Sequence, residues 1–360
     1  MQPKSAVNPL GTDGFEFIEF TAPTRDGVRS LQQLFERLGF VAVARHRSKD
    51  VTLFKQNDIQ FLVNATPYTH FEQFAQAHGP SVCAMGWRVR EATRAYDHAV
   101  SRGAVPFDTR PGFMELRLPA VYGIGGSVLY FIDRYGEHSI YDVDFVPIAG
   151  AASQPGGVGL MRIDHLTHNV ARGNLDRWVD FYADIADFRE IRRFDIAGRF
   201  TGLVSRAMVS PCGRIRIPIN ESVDERSQVA EFIRDYRGEG IQHVALATDD
   251  IYATVEALRA CGVQFMDTPD TYYDRLDSRL PDHGEDGARL RALRILADGS
   301  QRDGILLQIF TSSVVGPIFF EIIQRKGNEG FGEGNFQALF ESIEEDQLQR
   351  GALADLAAAS

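Results

Sequence analysis

Two spacings of apolar residues alternate along this chain. Over 163–170 the sequence IDHLTHNV is crowded with Ile, Leu, Val and Thr and predicts a strand, as does IQHVALAT over 241–248. Each run then gives way to apolar residues three or four apart. After the first, Asn174 stands where a cap is needed for a helix that aligns Leu175, Trp178, Val179, Tyr182 and Ile185. After the second, Asp249 or Asp250 can cap a helix with Ile251, Val255, Leu258 and Cys261 in step, closed by Gly262. Further strand-like runs follow, among them RIPIN, ILLQIF and PIFFEII. The unit is therefore a strand, a helix and then several strands.

That unit repeats. RIDHLTHNV (162–170) lies over GIQHVALAT (240–248), so that Ile163 matches Ile241, His165 matches His243 and Leu166 matches Val244. SVCAMGWRVREATRAYDHAVSRGA (81–104) lies over GIQHVALATDDIYATVEALRACGV (240–263) when Gly103 is set against Gly262, which puts Ala84 opposite His243. A looser match of FIEF (17–20) with IDHL puts Glu19 opposite His165, and Tyr130 falls opposite Glu321. Only the second half has histidines at the repeated position. Between the halves, VPIAGAASQPGGVGL (146–160) has no hydrophobic period and reads as a linker. The expectation is an α+β chain of two domains, 1–150 and 151–360, each able to bury its own core.

The histidines carry the first chemistry. On a strand, side chains alternate, so His165 and His168 point to opposite faces, and the repeat selects His165. Symmetric pairing of the two modules brings His165 to His243. A carboxylate completes a redox-metal site, since two His and one carboxylate on one side suit non-haem Fe(II). Glu321 is the single charge within PIFFEII, where an unpaired carboxylate would cost several kcal/mol; a metal or a salt bridge to Arg325 would each answer it. Strand parity places Phe319 beside Glu321 with Phe320 facing away, pairs Gln308 with Phe310, and pairs Pro218 with Asn220. His46, His138 and His283 lie in polar stretches and read as surface residues.

Composition narrows the partner. A formal charge of −11 without a basic cluster excludes a phosphate-binding surface and hence nucleic acid. The apolar runs are too short for a membrane helix, no signal core opens the chain, and three scattered cysteines suggest reduced thiols, so cytoplasmic residence is expected. A small molecule is the expected partner.

Together IDHLTHNV, GIQHVA, LLQIF, FFEIIQRKG and GFGEGNFQALFESIEEDQ, with GFEFIEF and HRSKDVTLF in the first half, resemble the 4-hydroxyphenylpyruvate dioxygenase family of the vicinal oxygen chelate superfamily. The resemblance implies tandem βαβββ modules forming open half-barrel sheets around a cavity. It implies Fe(II) on His165, His243 and Glu321, in a catalytic second domain beside a metal-free structural first domain. It places Ser205, Pro218, Asn220, Gln228, Gln308, Phe310, Phe319, Phe331, Asn335 and Phe336 around the substrate, with Asn220 and Gln308 in catalytic roles. The implied reaction converts 4-hydroxyphenylpyruvate and O2 to homogentisate and CO2 in tyrosine and phenylalanine catabolism, in a homo-oligomer, dimer or tetramer.

The terminal glycines frame a hinge, and Phe336, Leu339, Phe340 and Ile343 line one side of a helix expected over 335–348. Such a helix serves as a lid, as the resemblance implies, or docks for stability alone. The competing readings are 4-hydroxymandelate synthase, which oxidises the benzylic carbon of the same substrate, an extradiol catechol dioxygenase, and a non-catalytic binding protein of the same fold. Pro218, Asn220 and Phe310 favour ring hydroxylation, while LLQIF and GFGEGNF speak against the extradiol enzymes.

Overall fold

A computed structural model describes residues 8–197, 201–332 and 334–337. The first unit of the first sheet contains β1 (Phe15–Thr21), α1 (Arg25–Arg37), β2 (Val41–His46), β3 (Val51–Gln56), β4 (Ile59–Asn64) and α2 (His70–His78). A second unit follows it, with β5 (Ser81–Arg88), α3 (Ala92–Ser101), β6 (Pro106–Phe107), β7 (Ala120–Tyr122), β8 (Val128–Ile132), α4 (Tyr141–Asp144) and β9 (Phe145–Pro147). The second sheet opens with β10 (Leu160–Val170), α5 (Leu175–Ala186), β11 (Arg189–Ala197), β12 (Gly202–Val209), β13 (Arg216–Ser222) and α6 (Gln228–Tyr236). It closes with β14 (Gly240–Thr248), α7 (Ile251–Ala260), α8 (Asp270–Asp274), α9 (Leu276–Arg279), α10 (Gly287–Leu293), β15 (Leu296–Ser300), β16 (Gly304–Phe310) and β17 (Phe319–Lys326).

Four βαβββ modules result, as the repeat predicts. In each, the first strand pairs in parallel with the last, through β1–β4, β5–β8, β10–β13 and β14–β17. A parallel return needs a crossover, which the helix supplies. Modules then join through their first strands, antiparallel, as β1–β5 and β10–β14. The order of the second sheet is β11-β12-β13-β10-β14-β17-β16-β15, which puts both expected histidine strands at its centre and β17 next to β14. The first sheet repeats the order, with β9 added outside β2. Registers agree as well: Gly86 pairs with Tyr130 where Ala245 pairs with Glu321.

Helix caps decide local ends. Asp250 Oδ1 accepts from Ala253 N, and Gly262 ends α7 with φ +81, where a side chain would be strained. Asn174 does not cap α5 with its side chain, contrary to the sequence expectation. Its amide turns instead to Glu239, and Glu221 accepts the Leu175 N–H across from β13. A carboxylate of a neighbouring strand thus takes the orphaned donor at the helix start.

The largest apolar cluster draws on both sheets. Phe320 lies against Phe20 and Phe61, and Trp87 stacks on Phe188. The two halves share this interior rather than each closing on a core wholly its own. The stretch joining them is anchored, since Gln56 Oε1 accepts from Val158 N and Leu160 N. Phe320 faces this core and Phe319 the opposite side of β17, as parity requires. Of the lid helix expected over 335–348, residues 338–348, with Leu339, Phe340 and Ile343, lie outside the described residues; 334–337 are helical.

Candidate metal centre

On the concave side of the second sheet, β10, β14 and β17 present His165, His243 and Glu321 at its middle. Their ligand-capable atoms all lie within 4.8 Å of one another. His165 Nε2 is 3.2 Å and His243 Nε2 3.4 Å from Glu321 Oε2, and no side chain of the three is more than 1% exposed. His168, as strand alternation requires, faces the other way: its Nε2 is 2.7 Å from Tyr182 Oη on α5, and burial lowers it to about 3, so it stays neutral.

Neighbours set the tautomers. Asp164 Oδ1 accepts from His165 Nδ1 at 2.8 Å, and Gln242 Oε1 accepts from His243 Nδ1 at 3.0 Å. Both rings therefore turn a lone pair on Nε2 toward Glu321. Asp164 is held in turn by Arg325, whose Nε and Nη2 donate to its two oxygens at 2.8 Å each. Burial alone would raise Asp164, but the Arg325 charge and bonds outweigh it and hold the carboxyl well below its ordinary range. The salt bridge weighed for Glu321 is thus not formed; Arg325 serves Asp164.

Burial would also raise Glu321, yet His165 and His243 bring it down to about 2. Burial disfavours charge on both rings and prevails at His243, whereas at His165 the Glu321 and Asp164 carboxylates outweigh it and raise the ring. The field of these carboxylates thus calls for a positive charge at the centre. His165 Nε2, His243 Nε2 and Glu321 Oε2 are also each buried without a hydrogen-bond partner. Three convergent orphan donors of N and O type, each braced from behind, fit a divalent transition metal with open positions.

Around them the expected pocket residues divide. Gln308 Nε2 donates to Glu321 Oε1 at 2.7 Å and to the Phe331 carbonyl at 3.1 Å, while Asn335 Nδ2 donates to Gln308 Oε1 at 2.9 Å. Phe319 stacks on His243 with ring centroids 4.8 Å apart, Phe331 meets His165 edge-on at 5.5 Å, and Phe310 meets Phe319 at 6.1 Å. On the neighbouring strands Ser205 pairs with Asn220, and Pro218 with Ala207. Asn220 Nδ2 donates to Asn169 Oδ1 at 3.2 Å. Phe336 packs on Phe194 in the cluster that includes Phe331. Gln228, half-buried at the start of α6, makes no hydrogen bond to the triad or its partners among the described residues.

Several participants escaped the sequence. Asp164, Gln242, Asn169 and the Tyr272 hydroxyl, which donates to Asn335 Oδ1 at 2.7 Å, all belong to this network. A signal existed for two of them, since both repeats place an acceptor side chain directly before the histidine, in DH and QH. Two other histidines differ from expectation. His283 is enclosed, bonded to Asp277 and to the Glu285 N–H, and His46 is half-buried with its ring against Phe145. His138 is exposed, as expected.

The chain resembles known proteins over nearly all its length. A family model described as "Hydroxyphenylpyruvate dioxygenase, HPPD, N-terminal" matches residues 6–146. A second, for the glyoxalase, bleomycin resistance protein and dioxygenase superfamily, matches residues 162–290. The chain is 64% identical to hemolysin VllY of Vibrio vulnificus, covering 97% of this chain and 98% of the relative. It is 61% identical to 4-hydroxyphenylpyruvate dioxygenase of Pseudomonas aeruginosa, covering 96% and 97%. Among solved structures, a triple mutant of 4-hydroxymandelate synthase from Streptomyces coelicolor superposes with TM-score 0.82 at 25% identity, covering 95% of this chain and 100% of the other. A fusion of a xylose isomerase-like TIM barrel with 4-hydroxyphenylpyruvate dioxygenase superposes with TM-score 0.79 at 34% identity; 96% of this chain spans 55% of that one.

Proposed function

The chain belongs to the 4-hydroxyphenylpyruvate dioxygenase family, and on that premise we propose that Fe(II) is its metal and that His165, His243 and Glu321 hold it. The enzyme converts 4-hydroxyphenylpyruvate and O2 to homogentisate and CO2, a step of tyrosine catabolism. One observation carries the ligand assignment: His165 Nε2, His243 Nε2 and Glu321 Oε2 are each buried and unpaired, and the ligand atoms of these three residues lie within 4.8 Å of one another. Bound Fe(II) would supply electrons and open positions at which a 2-oxo acid and O2 can meet.

The protein's own share is to orient, to position and to keep water out. Asp164 and Gln242 hold the Nδ1 protons, so each Nε2 stays free for the metal. Gln308 fixes Glu321 through one amide hydrogen and ties it to the chain at Phe331, so that the carboxylate presents Oε2 to the centre. Ser205 Oγ, Asn169 Nδ2 and Thr167 Oγ1 are buried and unpaired, a polar row that a substrate oxygen can satisfy. With Asn220 they form the end assigned to the substrate phenol, while Gln308 lies at the 2-oxo acid end. Phe310, Phe319, Phe331 and Phe336 give the apolar walls that hold an aromatic ring. Pro218 shapes the wall beside Ala207, Gln228 and Asn335 close the rim, and the helix beginning at 334 is the lid.

A cytoplasmic homo-oligomer, dimer or tetramer, with a metal-free first domain (1–150) and a catalytic second domain (151–360), completes the reading. Among the described residues no helix is long and apolar enough to cross a membrane. The test is anaerobic reconstitution with Fe(II), addition of 4-hydroxyphenylpyruvate and O2, and identification of the product. Homogentisate supports ring hydroxylation as directed by Pro218, Asn220 and Phe310; 4-hydroxymandelate would instead place the chain with the synthase it superposes on. Absence of oxygen uptake sinks both.

A further inference from the structure

Residues of the first half line a cavity of about 510 Å³, a volume typical of small-molecule sites. It lies where the internal repeat puts the metal centre of the second sheet. Tyr130 holds the place of Glu321, and Ala84 that of His243. The metal donors are absent, but the hollow has not been filled.

Its lining combines aromatic walls, including Phe17, Phe107 and Tyr130, with Glu19, which is only 4% exposed. Asn64 Nδ2 donates to one Glu19 oxygen at 2.6 Å, and among the described residues nothing bonds the other. Burial raises this carboxyl to about 7, against the opposing effects of Asn64 and the Lys49 charge. A desolvated carboxyl open to a cavity is stabilised by a cation, and among the described residues no cation is in contact with it. Lys49 also lines the cavity; its Nζ lies 2.8 Å from Glu115 Oε2, and the side chain remains 36% exposed, able to meet a carboxylate from the cavity side. An acid for an ammonium, a lysine for a carboxylate and aromatic walls for a ring together describe one ligand class.

We propose that this cavity binds an aromatic amino acid, its ammonium on Glu19, its carboxylate toward Lys49 and its ring between Phe17, Phe107 and Tyr130. The first half then carries a ligand site of its own beside its structural role. The test uses the full-length holoenzyme titrated calorimetrically with L-phenylalanine, and in parallel with phenethylamine and 3-phenylpropionate, which each lack one charged group. Expected is saturable binding of one L-phenylalanine per chain, with both truncated compounds at least about tenfold weaker, the loss of one charged contact. Glu19→Gln, which keeps the Asn64 bond, should weaken L-phenylalanine at least about tenfold. Leu118→Trp, which fills the cavity, should abolish its binding. Both variants should retain the parent's oxygen uptake, which certifies their fold. Absence of saturable binding, equal binding of 3-phenylpropionate, or an affinity untouched by both substitutions overturns the proposal.

Discussion

Replacing Asp164 by Asn separates two tasks that one carboxylate performs. Asp164 and Arg325 are 3% and 7% exposed at their side chains and share two hydrogen bonds of 2.8 Å. Removing one member of such a buried pair costs about 3–5 kcal/mol, because the remaining charge stays desolvated. Arg325 retains the carbonyls of Asn328 (3.1 Å) and Gly330 (2.6 Å) and the face of Phe331, so the lower end applies. A loss of about 3 kcal/mol lowers the melting temperature of the metal-free protein by about 4 °C, at an unfolding entropy of about 2.1 cal/mol/K per residue. The second task is orienting His165. A neutral amide can still accept from Nδ1 but adds less basicity to Nε2, so metal affinity should fall about 10–100-fold, or about 1.4–2.8 kcal/mol.

The double variant Asp164→Leu with Arg325→Met distinguishes the two. Stability should return, since well-packed apolar side chains replace a buried pair at little cost, while metal affinity stays low because nothing holds the His165 tautomer. Calorimetry of the metal-free proteins and competition with a chromophoric chelator measure the two quantities. Unchanged metal affinity in Asp164→Asn, or its recovery in the double variant, would refute the orienting role.

Three further outcomes follow from the same geometry. Metal affinity should fall by about tenfold per pH unit as pH drops through the raised His165 pKa, because that proton must leave before a metal binds; a flat chelator competition between pH 8 and about 6 contradicts this. Glu321, already at about 2, adds nothing in that window. Tyr272→Phe removes the hydroxyl bonded to Asn335 and leaves a buried amide oxygen without its donor, which weakens the docking of 334–337 by about 1–3 kcal/mol. Faster amide exchange there and a lower kcat, with metal affinity unchanged, are the expected readouts. His243→Ala should abolish metal binding, whereas His168→Gln should leave metal stoichiometry intact and cost about 1–3 kcal/mol of stability through the Tyr182 hydroxyl; metal analysis and thermal denaturation separate the two.

Much of the site is legible in the sequence alone. The period of two told His165 from His168 and Phe319 from Phe320, because a strand sends alternate side chains to opposite faces whatever surrounds it. The repeat identified His243 as the partner of His165, since duplicated modules that pair symmetrically bring equivalent positions together. What stayed hidden depended on pairings across the fold. Arg325 is four residues from Glu321 and invited a local salt bridge, yet it reaches Asp164 on another strand, and α5 takes its cap from Glu221 rather than from Asn174. Local spacing tells which face a charge occupies, whereas its partner is selected by which unpaired group the folded sheet leaves nearest and driest. The same distinction governs the first half: the sequence by itself determined that Glu19, Ala84 and Tyr130 make no metal triad. Only the tertiary structure decided that the space beside Glu19 and Tyr130 remains open, because a cavity is set by many strands and loops together and not by any one strand.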